Sequence, residues 1–144
     1  MIVLLVLFGS LVFFRVLGVA GVAAFQSWIL SARVALAVMF LLTASFHFTP
    51  MKKDLIAMVP PELPRPDLLV LLTGIAELAG AIGLLIPAIR YWAALGLIVL
   101  MAAVLPANIS ATKRSVLLRG QPPTPLSLRI PMQVLFVCWA WLVK

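Results

Sequence analysis

At the centre of the sequence stands the stretch Thr73-Gly74-Ile75-Ala76-Glu77-Leu78-Ala79-Gly80-Ala81-Ile82-Gly83. It lies inside an apolar run, Leu68 to Ile86, that is long enough to cross a bilayer as a helix. Glu77 stands in the middle of this run, where a carboxylate is costly unless it is protonated, paired or hydrated. Small residues four apart share a helix face and allow a second helix to approach closely (Ala76/Gly80 and Ala79/Gly83). The stretch therefore predicts a helical membrane protein with a polar group in its interior.

The composition excludes a soluble domain. Of the 144 residues, 65% are hydrophobic, 11 are Lys or Arg and only 4 are Asp or Glu. A soluble domain of this size does not need so much apolar surface. The basic residues are scattered between apolar runs, so the net charge of +7 indicates membrane topology and anionic head groups. We expect the lipid bilayer around the protein and no nucleic-acid partner, because no basic stripe is present.

The apolar runs predict an all-α integral membrane protein with five spans: Met1–Ala24, Ile29–Phe48, Asp67–Pro87, Tyr91–Asn108 and Ser127–Val143. We divide them into an N-terminal transmembrane helix, residues 1–24, and a four-helix membrane domain, residues 25–144. A cleaved signal peptide is the alternative for the first run. It is disfavoured because a basic n-region is missing and Arg15 interrupts the apolar segment.

The connection from Thr49 to Pro66 contains two distinct patterns. Apolar residues at helical spacing between Met51 and Val59 oppose Lys52, Lys53 and Asp54, which predicts a short helix on the membrane surface. The proline-rich segment 60–66 excludes a helix. It is interpreted as a stiff linker, with a lid over the bundle mouth as the alternative.

Aromatic and basic residues fall at opposite ends of the five spans. We call the two ends the aromatic face (Trp28, Tyr91, Trp92, Trp139, Trp141) and the basic face (Lys52, Lys53, Arg65, Lys113, Arg114, Arg119, Arg129). Basic residues favour the cytoplasm. The sequence therefore predicts a multi-pass protein of the cytoplasmic (inner) membrane, with its N-terminus and both long basic loops in the cytoplasm.

Three polar residues on three spans fall at one predicted depth. Counted at about 1.5 Å per residue from the aromatic face, Arg15 lies about 13 Å deep, and Glu77 and Gln133 about 15 Å deep. This predicts a charge-assisted Arg15–Glu77 pair, to which Gln133 adds a hydrogen bond. Glu77 either binds a ligand or a proton, or only fixes the packing of the helices.

A second polar level lies near the basic face. It contains His47, Asn108 and Arg129. Asn108 is expected to cap the last carbonyls of its helix, with an inward-pointing ligand group as the alternative, whereas Arg33 is expected to reach the head groups. The candidates for the polar core or a ligand site are therefore Arg15, Glu77, Gln133, His47, Asn108, Arg129 and Arg33.

Catalytic chemistry is not indicated by any motif. Cys138 is the single cysteine, so dithiol chemistry by this chain alone is excluded. One histidine and four scattered carboxylates do not form a metal-ligand pattern, and no nucleophile–base pair can be named. We therefore expect neither catalytic residues, a metal site nor enzymatic activity from the chain by itself.

The central stretch, extended to Pro87, resembles the signature helix of the DoxX and DoxX-like membrane proteins. The resemblance covers roughly Ala32 to Leu142 and includes further short blocks in order: His47-Phe48, Met58-Val59-Pro60, Arg90 with Ala93-Ala94, Pro106-Ala107-Asn108 and Pro131-Met132-Gln133. It implies a four-helix membrane bundle, to which residues 1–24 add a fifth helix.

The residues and the resemblance together leave three functions open. The first is an accessory subunit of a membrane redox complex linked to quinone or sulfur chemistry, which binds an apolar ligand, a quinone or a lipid, near Glu77. The second is a structural or chaperone-like assembly factor that grips another membrane protein through its small-residue faces. The third is a small transporter. No intrinsic cofactor is expected, and the expected protein partner is another membrane protein or a second copy of this chain.

Overall fold

The computed structural model of the chain describes residues 2–144, so Met1 of the predicted first span lies outside the described residues. The described residues form one short 3-10 helix, Ala23–Gln26, and six α-helices: α1 Ile2–Val19, α2 Trp28–Phe46, α3 Lys52–Met58, α4 Pro66–Leu85, α5 Arg90–Lys113 and α6 Leu126–Val143. Within this part of the chain, all of the α-helices except α3 are long and apolar enough to span a membrane. The chain is an all-α, multi-pass membrane protein, which confirms the predicted fold class and the five spans.

The centre of the bundle is α2. In the most apolar 18-residue window of each span, 44% of the residues of α2 are buried inside the protein, against 28% of those of α4 and smaller shares in the other spans. Helices α1, α4 and α6 pack on α2, and α5 joins α4 to α6. The central stretch of the sequence therefore lies on an outer helix, since α4 also turns Leu72, Ile75 and Ile82 outward.

Glycines allow α4 and α5 to pack closely beside the turn that joins them. A Cβ atom at Gly80 would lie 2.5 Å from Leu97 Cδ2, and one at Gly83 would lie 2.7 Å from Ala93 Cβ. This confirms the prediction that small residues of the central stretch allow another helix to pack closely. Farther from the turn, α5 continues through Pro106 to Lys113, so the fourth span is longer than predicted.

The first span is shorter than predicted because α1 ends at Val19. Gly21 follows with a φ of 104°, a conformation that glycine adopts without steric cost. Gly18 is also in contact with the Phe25 carbonyl, so a side chain there would collide with the returning backbone. The chain therefore turns before Ala24, and residues 23–26 form the short 3-10 helix.

Helix α3 is fixed against the end of α5. Arg114 Nη2 donates hydrogen bonds of 2.8, 3.0 and 2.8 Å to the carbonyls of Ala57, Met58 and Val59, where α3 leaves its last C=O groups unpaired. Asp54 Oδ2 accepts a 2.9 Å bond from the Arg119 backbone N–H. Met58 is only 7% exposed. The helix was predicted correctly, but its apolar side packs on the bundle and not on the membrane surface, because Arg114 and Asp54 hold it there.

Candidate functional site

Glu77 is a desolvated carboxyl group in the middle of α4. Its side chain is 14% exposed, and no described group donates a hydrogen bond to either of its oxygens. Oε2 is fully buried without a hydrogen-bond partner. A buried polar group with unmet hydrogen-bonding capacity is rare in native structures and marks a candidate functional site.

His47 is the nearest polar neighbour of Glu77. Its Nδ1 lies 2.6 Å from the Val70 carbonyl, and because a carbonyl only accepts, Nδ1 carries the proton. This orientation directs Nε2 toward Glu77, with Nε2 and Oε1 3.8 Å apart. The distance is within the range of an ion pair but too long for a direct hydrogen bond.

Gly74 makes room for the imidazole. A Cβ atom on Gly74 would lie 2.5 Å from His47 Cβ and 2.7 Å from its Cγ. Thr73, beside it, places its Oγ1 3.4 Å from His47 Nδ1 and donates to the Val70 carbonyl at 2.9 Å. Within the central stretch, His47 therefore packs against Gly74, and Glu77 lies one turn farther along α4.

Glu77 lines two adjoining cavities of the described chain. The α4–α5 cavity, of about 310 Å³, is covered by α3 and by Pro60 and Leu63 of the proline-rich segment. The α2–α6 cavity, of about 330 Å³, extends toward Arg129 and Gln133. The two cavities share a wall that consists of His47, Glu77, Asn108, Leu55, Met58 and Val104. The proline-rich segment therefore acts as a cover and not only as the linker that the sequence indicated.

The walls of the α2–α6 cavity are apolar and adaptable. Every methionine that the structure describes lines this cavity (Met39, Met51, Met58, Met101, Met132). Methionine is flexible and polarisable, fits ligands of varied shape and makes favourable contacts with aromatic rings. Together with Phe40, Phe46 and Phe136, these side chains form a lining suited to an apolar molecule.

A hydrogen-bonded pair closes the basic end of the same cavity. Arg129 Nη1 donates a 2.7 Å bond to Asn108 Oδ1. Gln133 Nε2 donates to the Met101 carbonyl of α5, one turn before Pro106. The expectation that Asn108 caps its helix is wrong, because α5 continues beyond it and its side chain points into the bundle.

The predicted Arg15–Glu77 pair is wrong. Arg15 Nη1 donates 2.7 Å bonds to the carbonyls of Phe25 and Gln26, and the guanidinium carbon lies 4.0 Å from the centre of the Trp28 ring. Since α1 ends at Val19, Arg15 is only one turn, about 6 Å, from the helix end and not halfway across the membrane. Its partners are therefore at the aromatic face.

Arg33 also lies outside the cavities. It is 8% exposed, and its Nε donates a 2.8 Å bond to the Val143 carbonyl at the end of α6. A cation there satisfies an unpaired carbonyl and complements the negative end of the helix dipole. The sequence did not indicate this contact between Arg33 and the end of α6.

Five predicted candidates therefore meet at the α2–α6 cavity, namely His47, Glu77, Asn108, Arg129 and Gln133. The His47–Glu77 contact and the methionine lining were not predicted from the sequence. Gly74 was a usable signal, since a glycine one turn before a buried carboxylate leaves space for a large neighbour. Among the described residues, no group of three or more His, Cys, Asp or Glu side chains is arranged to hold a metal ion.

The fold and the site define a multi-pass helical membrane protein with two largely apolar, partly open cavities and a carboxyl–imidazole pair in their shared wall. The family model described as "Domain of unknown function (DUF8561)" matches residues 36–144, and the chain belongs to that family. The matched region contains all five of the polar residues that meet at the α2–α6 cavity. No curated protein and no solved structure matches the chain.

Proposed function

We propose that this protein binds a small, largely apolar molecule from the membrane in the cavities beside Glu77. The observation that carries this proposal is the carboxyl group of Glu77, which is desolvated, accepts no hydrogen bond from the described chain and lines two cavities. A residue needed only for helix packing would be expected to have its hydrogen bonds satisfied within the protein.

The redox part of the proposal depends on the resemblance to the DoxX proteins. We propose that the bound molecule is quinone-like and that the protein is an accessory subunit of a membrane redox complex linked to quinone or sulfur chemistry. The assembly-factor hypothesis is less well supported, because Gly80 and Gly83 pack against α5 of the same chain, which leaves only Ala76 and Ala79 of the small-residue faces exposed to a client.

Native mass spectrometry of the gently solubilised protein tests ligand binding. We expect the wild-type protein to retain a lipid-soluble molecule and Glu77→Leu to lose it. Glu62→Gln is the matched control, because Glu62 is exposed and lines neither cavity. A folded, monodisperse wild-type protein of bare mass, with no bound molecule under any mild condition, would contradict the proposal. Co-purification of a stoichiometric redox subunit would support the accessory role, and a non-redox client would favour the assembly factor.

We propose the cytoplasmic membrane as the location, with the N-terminus and both basic loops inside, because positive charge near the spans resists translocation. In a Cys138→Ala background, Lys53→Cys and Gln121→Cys are expected to resist an impermeant thiol reagent in intact cells. Ala88→Cys, between α4 and α5, is the control and is expected to react. Labelling of the first two positions and protection of the third would reverse the orientation.

A further inference from the structure

The distance between His47 and Glu77 restricts the chemical class of the ligand. A single oxygen atom placed about 2.8 Å from each of two groups 3.8 Å apart can hydrogen-bond to both, since its position is the apex of a bent bridge. The separation of Nε2 and Oε1 is therefore too long for a direct hydrogen bond. A one-atom bridge across it is strongly bent, so the flexible Glu77 side chain moves away slightly when the bridging atom binds.

The proton on His47 Nδ1 determines what the bridging group must do. A net charge on a pair inside the membrane bundle is costly, so the pair is most stable when it is neutral overall. Because Nδ1–H is bound to the Val70 carbonyl, the one remaining proton of a neutral pair lies either on Nε2 or on the Glu77 carboxyl group. In the first case the bridge accepts from Nε2 and donates to Oε1, and in the second it accepts from the carboxyl and donates to Nε2. In both cases the bridging atom must donate one hydrogen bond and accept another.

We propose that the His47–Glu77 pair recognises a hydroxyl group, so that the ligand is a membrane-soluble phenol or hydroquinone. This inference rests on the proposed ligand-binding function. A hydroxyl group meets both requirements, whereas a quinone carbonyl or an ether does not donate and a protonated amine does not accept.

The residues that line the α2–α6 cavity favour a ligand whose hydroxyl group is attached to an aromatic ring. Methionine sulfur atoms make favourable contacts with aromatic ring edges, and five methionines line the α2–α6 cavity. Arg129 lines this cavity too, which disfavours a positively charged ligand there. A cavity of about 330 Å³ is at the lower end of the usual range for ligand sites, so it accommodates one substituted ring.

The test compares 4-octylphenol with its methyl ether, 4-octylanisole, on the purified full-length protein in mild detergent. Dissociation constants are obtained from the shift of the thermal midpoint with ligand concentration. The phenol is expected to bind about 10- to 100-fold more tightly, the range for one hydrogen bond to a charged group. An octyl-substituted hydroquinone is likewise expected to bind more tightly than the corresponding quinone.

The variants locate the effect. In Glu77→Leu the affinities for the phenol and for the ether are expected to agree within about twofold, because the hydrogen bond to the hydroxyl group is absent. Glu62→Gln is expected to keep the wild-type preference for the phenol. Equal, saturable binding of phenol and ether to the wild-type protein would overturn the hydroxyl proposal and leave the apolar-ligand function standing. Binding of neither compound, nor of the quinone, would overturn both. Since the comparison varies the ligand, it remains decisive even if the Glu77 variant does not fold.

Discussion

Gly74→Ala is expected to destabilise the protein by about 1–3 kcal/mol, the usual cost of overpacking a filled site. The new Cβ atom would lie 2.5 Å from His47 Cβ, which is the fixed end of that side chain and cannot rotate away. Helix α2 would have to shift from α4, or the imidazole would have to leave Glu77. We therefore expect a loss of ligand binding together with the loss of stability, measured by thermal unfolding in detergent.

Gly96→Ala is the matched control for this substitution. Gly96 also lies within a membrane helix, α5, but no atom lies within 4 Å of a Cβ atom built on it. Alanine there is expected to be neutral or to stabilise by up to about 1 kcal/mol, since glycine is the poorer helix former. If Gly74→Ala were as harmless as Gly96→Ala, the close approach of His47 to α4 would be wrong.

Double-mutant cycles are expected to show that Glu77 is coupled to His47, its partner in the structure, and not to Arg15, the partner predicted from its depth. For His47→Ala with Glu77→Leu, the loss in the double variant should be smaller than the sum of the single losses by about 0.5–3 kcal/mol, as found for residues in contact. The reason is that either single change leaves the other buried polar group uncompensated.

Arg15→Leu with Glu77→Leu is the comparison cycle. Arg15 binds the carbonyls of Phe25 and Gln26 at the aromatic face, so its loss should cost stability independently of Glu77. The two losses are expected to add within about 0.5 kcal/mol. The free energy of unfolding in mixed micelles measures both cycles. A large coupling of Arg15 to Glu77, with none for His47, would reverse the assignment of partners.

The class of the protein was determined by the sequence. Runs of apolar residues with few charges can be stable only as membrane helices, so the five spans could be counted from composition alone. The small residues of the central stretch likewise predicted a close helix contact, and Gly80 and Gly83 make it with α5. These conclusions depend on local composition and spacing, which the sequence contains completely.

The depth count was correct where a helix ends as predicted and wrong where a turn moved the end. Glu77 and Gln133 do line one cavity, but the predicted hydrogen bond from Gln133 to the pair is wrong, because Gln133 Nε2 donates to the Met101 carbonyl. Arg15 was misplaced because Gly21 adopts a positive φ and ends the chain's first helix early, which adds an error of several residues to the count. The sequence showed the glycine but not which conformation it takes.

The partners of the polar residues were decided only by the tertiary structure. His47 meets Glu77, Arg33 meets the end of α6, and Arg114 holds α3 over the cavities. Each of these contacts depends on the rotation of one helix about its axis relative to another. The chain is apolar on nearly every face, so hydrophobic periodicity does not define that rotation. Close packing at a few glycines defines it, and this is why the spans were predictable and the site was not.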